Sequence, residues 1–164
     1  MYSLLKASGI AAAIGYAGLA PVAVAQETSY KFACQDVGAS APEPLGDREG
    51  HNITVHPYSC RVDSGPMSGG IVTGTDVWEW DGPKAVQRSN VGVIRKPGAT
   101  VVYVGAGGNL TLTMTDGKVT GFTASGKTTD VVATGGAASM SGRSDSWTAK
   151  PAGPGQFAVE INLQ

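Results

Sequence analysis

The side chains best suited to chemistry lie in one short run, Asp76–Asp81 (DVWEWD). In a strand, successive side chains point to opposite faces, so Asp76, Trp78 and Trp80 share one face and Glu79 lies on the other. If the tryptophans line a cavity, they offer flat apolar walls to an aromatic ligand, with Asp76 as an acid or base. If they point outward, Glu79 is the interior carboxylate, and burial raises its pKa toward proton-transfer work. A third interpretation makes the tryptophans packing residues and the acids surface charges.

A second run carries two histidines and a tyrosine. His51 and His56 have odd spacing and point to opposite faces of a strand, so they cannot together bind one metal ion from it. Tyr58 shares the face of His56, which either enters a cavity as a proton shuttle or is structural or exposed. Arg61 and Arg95 either bind a ligand carboxylate through two hydrogen bonds or are exposed strand residues. The candidate catalytic residues are Glu79, Asp76 and His56, and the candidate ligand-binding residues are Trp78, Trp80, Tyr58, Arg61 and Arg95.

Several common catalytic motifs are absent from the sequence. It has no P-loop, no dinucleotide-binding fingerprint, no nucleophile elbow and no HExxH zinc motif, and each of these requires fixed local spacing. Hydrolase and nucleotide-dependent functions are therefore disfavoured, and no metal site is predicted. With 12 basic and 13 acidic residues, the chain also has no charge excess that would attract nucleic acid or an anionic membrane.

Cys34 and Cys60 are the two cysteines of the chain. They form neither a CxxC pair nor, with the two histidines, a recognisable zinc pattern. In an oxidising compartment we expect them to form a disulfide, which would stabilise the fold by about 3 kcal/mol.

The first 25 residues have the organisation of a cleavable signal peptide. Lys6 supplies the basic region, residues 7–20 form an uncharged apolar region, and Ala23-Val24-Ala25 supplies the small residues that signal peptidase requires. The alternative is a membrane anchor, but the apolar stretch is rich in glycine and shorter than the roughly 20 residues of a spanning helix. We expect export to a bacterial periplasm or the cell exterior, with no membrane association after cleavage.

The remaining chain shows the period-two alternation of β-strands. Leu110, Leu112 and Met114 alternate with threonines, and Asp116-Gly117 joins this run to the next, which predicts a type I′ hairpin. No later segment has a convincing helical period. The predicted strands lie near residues 29–35, 51–62, 70–80, 90–95, 99–105, 109–115, 118–124, 128–134, 137–149 (broken or bulged) and 156–163.

We predict a single all-β domain. Residues 26–50 supply an N-terminal strand and a loop, and residues 51–164 supply the remaining strands of the barrel domain. The part of that loop at 37–50 is either a solvated connector or a lid over a cavity. A closed antiparallel barrel of about eight strands is favoured over a two-sheet sandwich, because closure removes exposed edges. Four glycines within the predicted strands suit the bends and bulges of a small barrel: Gly74, Gly92, Gly121 and Gly142.

The order of four features carries a family resemblance. These are residues 46–53 (GDREGHNI) leading into a strand, the glycine-rich middle of the chain, the hairpin at 116–122 (DGKVTGF) and the late segment at 133–142 (ATGGAASMSG). The chain resembles the allene oxide cyclase barrel superfamily, which includes the dirigent proteins, over most of residues 28–164. The resemblance implies an eight-stranded barrel with an apolar cavity, assembly into homodimers or homotrimers, and cofactor-independent cyclisation or coupling of a small molecule. It assigns no catalytic residue to this chain.

Three functions are therefore open. The first is a cofactor-free isomerase or cyclase that steers a small apolar or aromatic substrate, and the second is a carrier that binds such a molecule without converting it. The third is a structural homo-oligomer whose interior is filled by side chains. A buried carboxylate or histidine beside an open cavity would favour the first, an apolar cavity the second and a packed interior the third.

The predicted signal peptide can be tested directly. Expressed in a Gram-negative bacterium, the chain should be exported and should begin at Gln26. Intact-mass measurement and N-terminal sequencing of the periplasmic fraction check this, and recovery of the full-length chain from the membrane fraction would show an anchor instead.

Overall fold

The computed structural model describes residues 29–163. The predicted signal peptide lies outside these residues. Apart from one 3-10 turn at Ala138–Met140, the regular structure is β-strand. The strands are β1 (Ser29–Asp36), β2 (Glu43–Pro44), β3 (His51–Ser64), β4 (Ile71–Asp81), β5 (Lys84–Lys96), β6 (Ala99–Thr115), β7 (Lys118–Gly135), β8 (Ser144–Gly153) and β9 (Gln156–Leu163).

Eight of these strands form a closed antiparallel barrel. From β3 to β9 each strand pairs with the next along the chain, and β1 pairs with both β9 and β3, which closes the sheet. The two-residue strand β2 stands outside the eight and pairs with the beginning of β3. The barrel prediction is confirmed, and the two-sheet sandwich is not the architecture of this chain.

The Asp116-Gly117 hairpin forms as the sequence predicts. The φ angle is 49° at Asp116 and 72° at Gly117, so both residues adopt the positive values that a type I′ turn requires. The turn joins β6 and β7, which are the longest strands of the barrel.

Two of the predicted strand breaks are wrong. Residues 99–115 form one strand instead of two, because Gly107 and Gly108 introduce a bulge into the β6–β7 ladder and not a turn. Residues 118–135 are likewise one strand, and β5 begins at Lys84, six residues before the predicted start. In the predicted broken segment at 137–149, the 3-10 turn precedes β8.

The disulfide between Cys34 and Cys60 is confirmed, with an S–S distance of 2.07 Å. The two cysteines are direct cross-strand partners in the β1–β3 ladder. That ladder brings together two strands that are not joined by a hairpin and so closes the barrel. The disulfide therefore links the two strands of the closing ladder covalently.

The two ends of the barrel differ in packing. At the end that carries the loops 65–70, 97–98 and 136–143, called here the closed end, the interior is filled by fully buried side chains. At the opposite end, which carries the turns 82–83, 116–117 and 154–155 and is called the open end, several interior apolar side chains stay partly exposed. The closed end is packed by Tyr30, Val62, Met67, Val72, Val101 and Met140.

The loop at 37–50 lies against the outer edge of β3. Glu43 pairs with Ile53, and the Leu45 amide donates a hydrogen bond to the carbonyl oxygen of His51. No residue of the loop lines the interior cavity. This is the arrangement of a connector that covers the part of β3 that β1 does not reach.

We predict that the disulfide stabilises the closed barrel. The double substitution Cys34→Ala with Cys60→Ala should lower the free energy of unfolding by about 3 kcal/mol, because it releases a closed loop from the unfolded chain. Urea denaturation followed by tryptophan fluorescence measures this loss. The wild-type protein unfolded in a reducing agent should show the same decrease, and equal midpoints for the oxidised and reduced proteins would contradict the prediction.

Candidate functional site

A cavity of about 290 Å³ occupies the barrel interior. Its wall is mostly apolar and aromatic and is formed by inward-facing residues of all eight barrel strands, with Met140 of the 3-10 turn. Because the interior side chains near the open end are partly exposed, the cavity is accessible from that end. This cavity is the candidate functional site.

Tryptophans form the main aromatic wall. Trp78 and Trp147 meet edge to face, with ring centroids 6.5 Å apart and planes at 86°. Trp80 continues the wall toward the open end. Behind Trp147 lies Gly126, where an added Cβ would be 2.6 Å from the indole Cζ2. The inward placement of Trp78 and Trp80 corresponds to the first of the interpretations drawn from their alternation.

His56 lies between two carboxylates in the cavity wall. Its Nδ1 is 3.1 Å from Asp76 Oδ1, and its Nε2 is 2.9 Å from Asp36 Oδ1. A ring that donates from both nitrogens is the imidazolium cation. Burial disfavours that cation, but the hydrogen bonds to Asp76 and Asp36 outweigh burial, so the pKa of His56 lies above its usual value. We call Asp36, His56 and Asp76 the histidine trio.

A pair of tyrosines lies next to the histidine trio. Tyr58 donates a hydrogen bond to Asn90 Oδ1 at 2.9 Å, and the hydroxyl of Tyr103 lies 2.8 Å from that of Tyr58 and donates to it. Gly74 and Gly92 are cross-strand partners beneath the two rings, and a Cβ at Gly74 would lie 2.6 Å from the Tyr58 hydroxyl. Burial raises the pKa of Tyr58 to about 12 and that of Tyr103 well above its usual value, so both hydroxyls stay protonated at neutral pH.

A second set of charged residues lies toward the closed end and was not predicted from the sequence. Arg143 has Nη2 3.5 Å from Asp130 Oδ2 and Nε 3.2 Å from Asp145 Oδ2. It also donates a hydrogen bond to the Tyr30 hydroxyl at 3.1 Å. Burial and the neighbouring Asp145 raise the pKa of Asp130 to about 6, against the opposing effect of Arg143. We call Asp130, Arg143 and Asp145 the arginine trio.

Three of the candidate residues lie outside the cavity. The structure places Glu79 on the outer face, with Arg88 Nε 2.5 Å from one carboxylate oxygen and His51 Nε2 3.0 Å from the other. Arg88 and then His51 lower the pKa of Glu79 to about 2, the opposite of the increase expected for an interior acid. The interior carboxylate of β4 is therefore Asp76. The other two, Arg61 and Arg95, are also exposed, and Arg61 pairs with Asp63 at 2.6 Å.

Several residues that line the cavity carry a buried polar atom with no hydrogen-bond partner within residues 29–163. Two of these atoms are indole N–H donors, one is a hydroxyl and two are carbonyl or carboxylate oxygens. Such groups are rare in folded proteins, because each loses its bonds to water on burial. They are Trp80 Nε1, Trp147 Nε1, Thr54 Oγ1, Gln87 Oε1 and Asp130 Oδ2, the last of which has Arg143 nearby but accepts no hydrogen bond.

The alternation of side chains along β7 and β8 gives a partial indication, in the sequence, that Asp130 and Asp145 face the interior. Asp130 and Thr128 share a face of β7, and Asp145 and Trp147 share a face of β8. The predicted break in residues 137–149 hid the second pair, and the valines beside Asp130 gave no sign of which face is inside. Only closure of the barrel fixes that choice.

No group of three or more His, Cys, Asp and Glu side chains within 29–163 is arranged to hold a metal ion. No helix there is long and apolar enough to cross a membrane. The sequence matches no protein-family model and no curated protein, and no solved structure matches the chain.

We predict that Asp76 holds His56 in its charged form. In the variant Asp76→Asn the pKa of His56 should fall, because a carboxylate is replaced by a neutral amide, and NMR titration of the imidazole resonances measures the change. Asp63→Asn, on the outer face, is the matched control and should leave the titration as it is in the wild type.

The same interaction gives a sign for the pH dependence of stability. The pKa of His56 is higher in the folded protein than in the unfolded chain, so protonation of His56 stabilises the fold. This stabilisation is fully present at pH values below the pKa of the unfolded chain, about 6.5, and is lost as the pH rises through the pKa of the folded protein. Asp76→Asn should flatten this part of the stability profile. An unchanged His56 titration in that variant would contradict both statements.

Proposed function

We propose that this protein binds a small, largely apolar or aromatic molecule in the barrel cavity. The observation that carries the proposal is the coincidence of an accessible aromatic cavity with unpartnered buried polar atoms in its wall. Ligand sites characteristically combine apolar walls with a few polar groups that fix the orientation of the ligand. A molecule with one or two polar substituents would satisfy these atoms and cover the exposed apolar surface.

The volume limits the size of the ligand. At about 290 Å³ the cavity lies at the lower end of the range of small-molecule pockets, which is roughly 300–1,000 Å³. Trp78 and Trp147, in edge-to-face contact, give the wall a large aromatic surface. Both features favour a compact ligand of one or two rings over a long acyl chain.

The alternative of a purely structural barrel is less well supported. That function would require an interior filled by side chains, whereas only the closed end is packed. Aromatic rings are set over glycines at Gly74, Gly92 and Gly126, which keeps the wall thin and the interior wide. Assembly into a homodimer or homotrimer stays a separate expectation that is compatible with ligand binding.

Filling the cavity should abolish binding. We use 1-naphthalenemethanol as an uncharged two-ring probe and measure its binding by isothermal titration calorimetry. Ala149 lines the cavity near the open end, so Ala149→Phe should weaken binding at least tenfold by occupying the space that the ligand needs. Ala33→Phe adds the same ring to the outer face of β1 and should bind the probe as the wild type does.

Native mass spectrometry of protein purified from its exporting host complements this experiment. A retained molecule of one or two rings would support the proposal and identify the ligand. Failure of the wild type to bind the probe, together with repeated purification without any ligand, would overturn it.

Proton transfer on the bound ligand is a second candidate function. It is favoured by two groups of the cavity wall, His56 and Asp130, whose pKa values are both raised, that of Asp130 to about 6. A group that titrates near the working pH is suited to accept a proton from carbon and return it at another position. This would be an isomerisation without a cofactor, as the family resemblance implies.

Isotope exchange tests the second candidate. An extract of small molecules from the host is incubated with the protein in D₂O and analysed by mass spectrometry. An isomerase that removes and returns a proton should incorporate deuterium at carbon, and Asp130→Asn or His56→Ala should lose this activity. Binding without exchange would show that the barrel is a carrier.

A further inference from the structure

We propose that the ligand carries a hydrogen-bond donor at one end, above all a protonated amine, that this end binds at Asp130, and that the cavity discriminates against carboxylates. This inference rests on the proposed function and specifies its ligand class. It differs from the sequence-based expectation that Arg61 or Arg95 binds a ligand carboxylate, because both arginines are outside the barrel.

The first argument is the charge of the cavity wall. Four of the lining residues are acidic, and His56 is the lining residue that can carry a positive charge in the part of the chain that the structure describes. In the histidine trio one cation is shared by two carboxylates, and in the arginine trio Arg143 is shared by two more. Each trio therefore keeps one net negative charge when all its members are ionised.

The second argument is the position of Asp130. Its side chain is only 6% exposed, it lines the cavity, and Oδ2 accepts no hydrogen bond within the described residues. Arg143 lies 3.5 Å from that oxygen but uses its Nε and Nη2 donors on Asp145 and Tyr30. A buried carboxylate oxygen with spare acceptor capacity is satisfied by a donor of the ligand.

The third argument concerns the rest of the ligand. A cation that enters from the open end passes the faces and edges of Trp80, Trp78 and Trp147, and aromatic faces attract cations. The unpartnered indole N–H groups of Trp80 and Trp147 can then donate to a neutral acceptor in the body of the ligand, such as an ether or carbonyl oxygen. The wall thus fits an aromatic amine with its ammonium group toward the closed end.

A carboxylate ligand meets the opposite conditions. It would bring a further negative charge into a mostly apolar interior whose lining residues already carry a net negative charge, and charges of like sign repel more strongly there than in water. Apart from His56, which is already engaged with two carboxylates, no positively charged lining residue of the described chain could compensate. Desolvation of the carboxylate would therefore be only partly repaid.

A matched series of probes tests the inference. The three compounds are 1-naphthylmethylamine, 1-naphthalenemethanol and 1-naphthoate, which share a ring system and differ in the charge of one substituent. Their dissociation constants are measured at pH 7.5 by isothermal titration calorimetry. We expect the ammonium compound to bind at least about tenfold more tightly than the carboxylate, and the alcohol to bind with intermediate affinity. A tenfold difference corresponds to the free energy of about one charge-assisted hydrogen bond.

Asp130→Asn identifies the residue responsible. This substitution keeps the shape of the side chain and should remove most of the preference for the ammonium while the affinity for the alcohol changes little. Asp63→Asn, which removes an acid of the outer face, should keep the wild-type order. Equal thermal unfolding temperatures would show that both variants are folded.

A second measurement needs no variant. Lowering the pH from 7.5 to 5 protonates Asp130, so the ammonium should lose affinity while the alcohol is less affected. The groups that face Asp130 are Asp145, Arg143, Tyr30 and Tyr103, and of these the arginine and the tyrosines keep their protonation state over this range. The histidine trio lies in the same cavity, and its contribution is the pH dependence that remains when the titration is repeated in Asp130→Asn.

The outcomes separate the two proposals. If the alcohol binds but 1-naphthoate binds as tightly as the ammonium, the inference about the ligand class is wrong and the binding function stands. The inference also fails if the ammonium keeps its advantage in Asp130→Asn. If none of the three compounds binds and no ligand is retained from the host, the binding function itself is wrong.

Discussion

The pairing of β1 with β3 is the constraint on which the rest of this structure depends. Without it the strands would form an open sheet with two free edges and no distinction between interior and exterior. Closure turns the period-two alternation of every strand into a choice between cavity and solvent. β1 is joined by a hairpin to neither of its partners, β3 and β9, and the Cys34–Cys60 disulfide holds the first of these pairs together covalently. Because β1 also carries Asp36 and Tyr30, it supplies one member of the histidine trio and a hydrogen-bond acceptor for Arg143 of the arginine trio.

The space inside the barrel depends on the pairing of large and small residues. Cross-strand glycines Gly74 and Gly92 lie beneath the tyrosine rings, and Gly126 lies beneath Trp147, so the aromatic side chains pack flat against backbone. A side chain at these positions would push the rings toward the barrel axis and reduce the cavity. Gly74 and Gly92, which the sequence associates with bends, thus make room for aromatic rings, whereas Gly121 lies beside a register shift in the β6–β7 ladder, as expected of a bulge. Gly142, which the sequence analysis placed within a strand, lies instead in the turn before β8, where its φ angle is 82°.

The fold could be predicted from local sequence patterns, but the candidate site could be predicted from them only in part. Alternation and the Asp116-Gly117 turn were sufficient for the barrel, since both are properties of neighbouring residues. They could not decide which face of β4 is inside, so Asp76 and Glu79 were left as alternatives until the closed barrel placed Asp76 within. The arginine trio was out of reach for a different reason. Asp130 and Arg143 come together through the β7–β8 connection, in a segment whose glycines suggested a break, and partners brought together by such a connection leave no periodic trace.

The energetic cost of the buried charges is itself evidence about function. Moving an ion from water into a protein interior costs several kcal/mol, and a buried ion pair repays this only when its geometry and hydrogen bonds are good. A barrel selected for stability alone would fill this space with apolar side chains, as the closed end does. Instead the cavity wall keeps three buried carboxylates, Asp76, Asp130 and Asp145, whose cationic partners are His56 and Arg143, and it leaves Asp130 Oδ2 without a hydrogen bond. An interior that is costly, accessible and incompletely neutralised is better explained by a ligand that completes it than by the requirements of folding.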